Sequence, residues 1–262
     1  MLIDSHCHLD FPELTSDESG VLARARTAGV AGMLTIGTRL DQFERVRAIA
    51  ERHEHVWCSV GVHPHEAKEE GQRTPDRLIE ATHHPKVVGI GETGLDFYYE
   101  HSPRDEQAES FRAHIAASRQ TGLPLIVHTR NADAETGDIL EEEHAKGAFP
   151  GLIHCFSSGR AVAERALALG LYISISGIVT FKAAEELRAI VRDVPLDRLL
   201  VETDAPYLAP IPKRGKTNEP AFVAHTAAKV AELKGVSLAE LEAATTDNFF
   251  RLFTKAERSR CA

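Results

Sequence analysis

The feature that most constrains this chain is a rhythm. Short aliphatic runs of strand length recur at Leu2–Cys7, Gly32–Gly37, Val56–Val62, Val87–Glu92, Leu125–Thr129, Gly151–Phe156, Leu171–Ser176 and Leu199–Thr203. Each is rich in β-branched or aliphatic residues and bounded by Gly, Pro or polar residues, the pattern of buried strands. Between them lie segments such as ESGVLARARTAG, LDQFERVRAIAERH and EQAESFRAHIAASRQTG, whose apolar residues recur at three and four. Several end in the glycine expected just past a helix. Strand and helix therefore alternate around eight strands, which predicts a (β/α)8 TIM barrel. An open doubly wound sheet shares the alternation. Eight units in 262 residues, with no GxGxxG or P-loop motif after the first strand, favour the barrel as one domain over residues 1–262.

A barrel makes position informative, because catalytic groups gather at the C-terminal ends of its strands. His6 and His8 close the first run, in DSHCHLD. His63 and His65 follow the third in GVHPH, and Glu92 ends the fourth in GIGETG. His128 ends the fifth in LIVHTR, His154 the sixth in LIHCF, and Glu202 and Asp204 the eighth in LLVETDAP. Residues i and i+2 of a strand share a face, so Asp4, His6 and His8 have one phase, as do His128 with Arg130 and Glu202 with Asp204.

Singly, each of these residues reads equally well as a hydrogen-bonded polar group at a barrel mouth. Jointly, four histidines and two carboxylates from five strands, aimed at one face, need partners, and divalent cations supply them. The pair His53 and His55 repeats the His-x-His spacing but precedes its strand, at the opposite end. With His83, His84, His101, His114, His144 and His225 it is assigned to solvated helix ends and surfaces. Cys7 and Cys155 have the opposite phase to their histidine neighbours and read as buried packing. Asp4 reads either as an acceptor for a histidine N–H or as structural, Asp96 as fixing the loop after strand four, and the EEEHAK carboxylates as a solvated face.

The remaining totals bound the setting. MLIDSHCHLD lacks a basic region followed by an apolar one, so no signal peptide is expected. No apolar run approaches the roughly 20 residues of a membrane span. Cys7, Cys58, Cys155 and Cys261 are too sparse for a disulfide framework and lack CxxC pairing, so they are expected to be reduced and mostly buried in a cytoplasmic protein. A net charge of −9 argues against sequence-blind adhesion to nucleic acid or membrane, but not against an enzyme that grips one phosphodiester locally.

DSHCHLD, GVHPHEA, IGETGLDFYY, LPLIVHTR, LIHCFSS, LLVETDAPYLAP and GKTNEP, in this order, resemble the TatD family of metal-dependent hydrolases and deoxyribonucleases, part of the amidohydrolase-like group of barrels. The likeness runs from residue 3 to the TTDNFFRLF segment near Phe253. It implies that His6, His8, Glu92, His128, His154 and Asp204 are metal ligands, Glu92 bridging two cations. It places His63 and Glu202 as contacts to phosphate or to an additional metal. The chain departs from the family at Asn131, where an acidic residue is frequent, and at Thr217, where a second basic residue is.

The expected activity is hydrolysis of DNA, exonuclease-type and with single strands preferred, by a water activated between two metals, with Asp204 orienting that water and accepting its proton. The imidazole and carboxylate donors suit Zn²⁺ or Mn²⁺ better than Mg²⁺, though Mg²⁺ remains compatible with nuclease activity. Arg130, Lys213, Arg214 and Lys216 are candidates to hold flanking phosphates, and Phe97, Tyr98 and Tyr99 to stack an unpaired base. The same binuclear chemistry would serve another ester or amide, such as a D-aminoacyl-tRNA or a small molecule. A metal-binding protein without turnover is the alternative from another class, and the intact Asp204 speaks against it.

Overall fold

The computed structural model describes residues 1–69 and 75–261, and, among these, side chains up to Ser259. Its eight strands are β1 (Leu2–Cys7), β2 (Val30–Thr35), β3 (Val56–Val60), β4 (Val87–Asp96), β5 (Leu125–Arg130), β6 (Gly151–Ile153), β7 (Tyr172–Ile175) and β8 (Leu199–Val201). All neighbours pair in parallel, in the order β1 to β8. The barrel closes just beyond β8, where Cys7 and Ala205 form a parallel bridge. Here the Asp204 N–H donates to the His6 carbonyl at 2.9 Å and the His8 N–H to the Ala205 carbonyl at 2.8 Å. The seam is thus made by the segments that carry the candidate site.

The two faces of the strands build two cores. One residue from every strand (Ile3, Leu34, Trp57, Val88, Ile126, Leu152, Tyr172 and Leu200) joins a single buried cluster with Phe249 and Phe253. Only the inside of a closed barrel brings all eight strands together in this way, and the C-terminal helix Leu238–Leu252 plugs it. The other face packs under the outer helices, with Val56, Val60, Leu125, Val127 and Ile173 against Val46, Ile49, Phe111, Ile115 and Leu140. Helix ends follow local chemistry: Gly122 and Gly235 end their helices with φ of 71° and 66°, and a Ser237–Glu240 capping box opens the last long helix.

The expected barrel is present, but strand ends differ from the sequence reading by one to four residues in every strand except β1, and those of β4, β6 and β8 bear on the candidate site. β4 does not stop at Glu92; it pairs with β5 as far as Asp96 and Arg130, and Glu92 stands at a register irregularity between Ile90 and Thr93. β6 and β8 stop earlier than expected. Beyond them Cys155 and Asp204 take left-handed backbone, φ 42° and 58°, which breaks a ladder and re-aims the neighbouring side chains.

Two assignments to the surface are also corrected, those of His114 and Glu143. His114 is 2% exposed; its Nε2 accepts the Val62 N–H at 2.9 Å, and its Nδ1 donates to the Ser110 carbonyl at 2.7 Å. Both nitrogens are satisfied, so burial holds its pKa down to about 4. His101 is exposed as expected, its ring edge-on to His65 and stacked on Tyr99. Within EEEHAK, Glu143 is buried. Burial alone would raise its carboxyl, but Lys146, Arg112 and Arg119 hold it at about 2. By contrast Glu141 and Glu142 are exposed as expected.

Among the described residues, no helix is long and apolar enough to cross a membrane. Cys7, Cys58 and Cys155 are free thiols, the first two buried. The Cys261 side chain lies outside the described residues.

Candidate metal centre

A cleft of about 730 Å³ opens at the C-terminal end of the barrel, with Glu92 in its floor. Local backbone explains how a carboxylate gets there. Gly91, on one side, has φ 135°, and a Cβ on it would meet the Ile126 carbonyl oxygen at 2.6 Å. Gly94, on the other, has φ 136°, and a Cβ would run into the His128 carbonyl. Only glycine fits both places, so the GETG sequence lets β4 bulge tightly against β5.

The two oxygens of Glu92 face different imidazoles. Oε2 lies 3.3 Å from His6 Nε2 and 3.9 Å from His8 Nε2. Oε1 lies 2.8 Å from His154 Nε2, 3.0 Å from His128 Nδ1 and 3.4 Å from His63 Nε2. Asp204 completes the first set, its Oδ1 at 3.4 Å from His8 Nε2 and 3.7 Å from His6 Nε2. One carboxylate therefore stands between two groups of ring nitrogens.

The electrostatics follow from this crowding. Burial alone would raise the Glu92 carboxyl, but His154, His63 and His128 around it hold it well below the carboxylate range. Asp204 is likewise lowered, by His8 and His6 against the opposing effect of burial. Burial pushes His63 down to about 4, and burial together with the neighbouring His154 lowers His6. His154 goes the other way: Glu92 and Glu202 outweigh its burial and raise it well above the usual imidazole range.

Do these residues fit a cation? His6 Nδ1 and Nε2, His8 Nδ1 and Glu202 Oε2 are buried and make no hydrogen bond, a costly state for polar atoms unless another partner takes their lone pairs. His6 with His8 and Glu92, His63 with Glu92 and His128, and His6 with His154 and Glu202 each bring three donor atoms close enough to hold one ion. The donors are imidazole and carboxylate, as Zn²⁺ or Mn²⁺ prefers. The fit is good.

Other candidates divide. Arg130 lines the cleft, its guanidinium stacked 4.1 Å above Tyr98 and 4.8 Å above Tyr99; Phe97 is instead covered by Arg104. Glu202 is fully buried behind His154, Oε1 accepting the Cys155 N–H at 2.8 Å and 3.3 Å from His154 Nδ1. Lys213, Arg214 and Lys216 follow β8 but are not brought to the cleft wall; Lys213 and Arg214 lie over Phe222 and Phe181. Cys155, read as buried, is partly exposed to the cleft because its left-handed backbone turns it there.

Asp4 does not aim with His6 and His8. The β1 register breaks between Asp4 and Cys7, and its carboxylate accepts from Thr203 N–H at 2.9 Å and Thr203 Oγ1 at 2.6 Å. Burial raises its pKa to about 8. It is structural, pinning the residue between Glu202 and Asp204. Sequence reasoning passed over Phe11 and Tyr207, which line the cleft beside His8. Tyr207 is 53% exposed, and the adjacency of both to site motifs was the available signal.

Comparison with known proteins agrees with this geometry. Residues 3–254 match the family model described as TatD related DNase. The chain is 47% identical over 255 residues to the uncharacterized metal-dependent hydrolase YcfH of Escherichia coli K12, covering 96% of this chain and 95% of that protein. It is 37% identical over 258 residues to the 3'-5' ssDNA/RNA exonuclease TatD of Enterobacter lignolyticus, covering 96% and 98%. Among solved structures, the TatD homolog YJJV of Escherichia coli K12 superposes with a TM-score of 0.90 at 30% identity, covering 97% and 98%. With a closed parallel barrel, a carboxylate between two sets of imidazoles and these likenesses along nearly its whole length, the chain belongs to the TatD family of metal-dependent hydrolases.

Proposed function

We propose that this hydrolase cleaves phosphodiester bonds of DNA, working inward from an end of a single strand, with two divalent cations. The observation that carries the reading is the division of imidazoles between the two oxygens of Glu92. His6, His8, Glu92 and Asp204 would hold one cation; Glu92, His128 and His154 would hold the other, with His63 beside them. When bound, such cations lower the pKa of water and neutralise charge on phosphoryl oxygens. The donor set favours Zn²⁺ or Mn²⁺ over Mg²⁺.

The chain's own groups do the rest. Asp204 orients the attacking water and takes its proton, since its carboxylate is held ionised at the cleft wall. Arg130 meets a non-bridging phosphate oxygen from the rim, and the tyrosines beneath it offer a face to an unpaired base. Lys213, Arg214 and Lys216 hold phosphates further along the strand. The name of the Enterobacter relative, an exonuclease on single-stranded DNA and RNA, supports the substrate class.

The test is turnover of the metal-loaded protein on a panel: single- and double-stranded DNA with either end blocked, RNA, aminoacyl-tRNA and small esters. Trimming of single-stranded DNA with a free end, stopped by blocking one end, is expected. Hydrolysis of only aminoacyl-tRNA or small esters would overturn the nuclease reading.

A further inference from the structure

His128 turns Nδ1 towards Glu92, so its other nitrogen must be satisfied elsewhere. That partner is Asp96, 1% exposed at the end of β4. Its Oδ2 lies 3.3 Å from His128 Nε2 and 2.8 Å from His65 Nε2. Its Oδ1 accepts the Tyr98 and Tyr99 N–H groups at 2.9 and 3.0 Å. Behind it, Gln107 accepts the Asp96 N–H at 2.8 Å and donates to its carbonyl at 3.2 Å. The carboxylate is thus fixed on every side. One oxygen holds two histidines and the other holds the turn on which Arg130 stacks.

We infer that Asp96 is a positioning residue for hydrolysis: it keeps the His128 proton on Nε2, leaving the Nδ1 lone pair free for a cation, and ties that imidazole to the Tyr98–Tyr99 rim. Both His128 nitrogens face a carboxylate, Nδ1 towards Glu92 at 3.0 Å and Nε2 towards Asp96 at 3.3 Å. A carboxylate accepts but does not donate, so with a cation taking the Nδ1 lone pair on the Glu92 side, the one proton of the neutral ring belongs on Nε2, facing Asp96. Carboxylate partners of this kind fix the tautomer and orientation of ligand histidines. His154 has the matching arrangement, Nε2 on Glu92 and Nδ1 on Glu202. The inference rests on the proposed binuclear site.

Asp96→Asn separates the two duties. Its amide oxygen still accepts from Tyr98 and Tyr99, while its NH2 confronts the two imidazoles and drives the His128 proton to Nδ1. In a Mn²⁺ titration followed by electron paramagnetic resonance, the wild type is expected to bind two equivalents. The variant should bind one equivalent normally and the other roughly 10–100-fold more weakly, with the metal-free melting temperature nearly unchanged. A second readout needs no variant: in Zn²⁺-loaded wild type with ¹⁵N-labelled histidine, His128 should show the Nε2–H tautomer in long-range ¹H–¹⁵N spectra. A wild type that binds one equivalent would remove the binuclear reading on which the inference rests. Two equivalents with unchanged affinity in Asp96→Asn would overturn the role of Asp96 while leaving the binuclear site standing, and an Nδ1–H tautomer of His128 in the wild type would overturn it by taking His128 out of the ligand set.

Discussion

His6-Cys7-His8 and His53-Glu54-His55 have the same spacing and lie at opposite ends of the barrel. At the C-terminal end, His6 and His8 are buried with ring nitrogens that make no hydrogen bond, and they face Glu92 and Asp204. At the N-terminal end, His53 Nε2 pairs with Glu18 at 2.7 Å near solvent. The His53, Glu54 and Val56 carbonyls there receive the Lys86 ammonium at 2.7, 2.9 and 2.9 Å. Lys255 in the same way caps the Thr82 and His84 carbonyls. One end satisfies its polar groups within the chain and the other leaves lone pairs pointing at one another. That difference separates a stabilising end from the one suited to hold cations.

The sharpest way to break the comparison is to remove the central carboxylate. Glu92→Ala or Asp204→Ala should lower kcat/KM of the metal-loaded enzyme on single-stranded DNA on the order of 10³-fold or more, with cooperative unfolding retained by circular dichroism. Wild-type turnover in either variant would end the two-metal scheme.

His114 tests a buried histidine that is fully partnered. The folded protein keeps it neutral down to about pH 4, whereas an unfolded chain protonates it near its ordinary 6.5. Its contribution is therefore complete above pH 6.5 and is lost as pH falls from 6.5 to 4, amounting to roughly 3 kcal/mol. Urea unfolding of wild type and His114→Gln across that range measures it. The stability gap should shrink as the solution is acidified, and a constant gap would show that His114 does not titrate as assigned.

Lys86→Met should destabilise by about 2 kcal/mol, because three carbonyls lose a charged donor. Hydrolysis per folded molecule should not change. A variant that is fully stable yet impaired in turnover would blur the distinction between the two ends. Smallest of all, His53→Ala should cost roughly 0.5 kcal/mol in thermal unfolding and leave metal content by elemental analysis unaltered. Loss of metal there would make spacing, not location, the meaningful feature.

Particular residues show how far sequence reading reached. That His6, His8, Glu92, His128, His154 and Asp204 come together at one end was legible because each closes an aliphatic run, and position along a parallel strand reports which end of a barrel a residue occupies. His114 and Glu143 were misplaced for one reason. Helical periodicity assigns a face but does not reveal what the neighbouring element offers, here the Val62 N–H and the guanidinium groups of Arg112 and Arg119. Asp4 was misaligned because alternation fails across an irregular register. Asp96 was recognised as the anchor of its loop, which it is, but its hold on His65 and His128 joins residues from three strand ends and has no local signature.

By itself the sequence determined the alternating architecture, the end of the barrel where the candidate site gathers and the residue types found there, since these depend on local periodicity and strand direction. Only the tertiary structure decided that Glu92 presents one oxygen to each group of imidazoles, and that Asp204 is locked beside His6 and His8. The first depends on a bulge that Gly91 and Gly94 permit against β5. The second depends on hydrogen bonds across the closing seam, between segments nearly two hundred residues apart whose meeting no local pattern encodes.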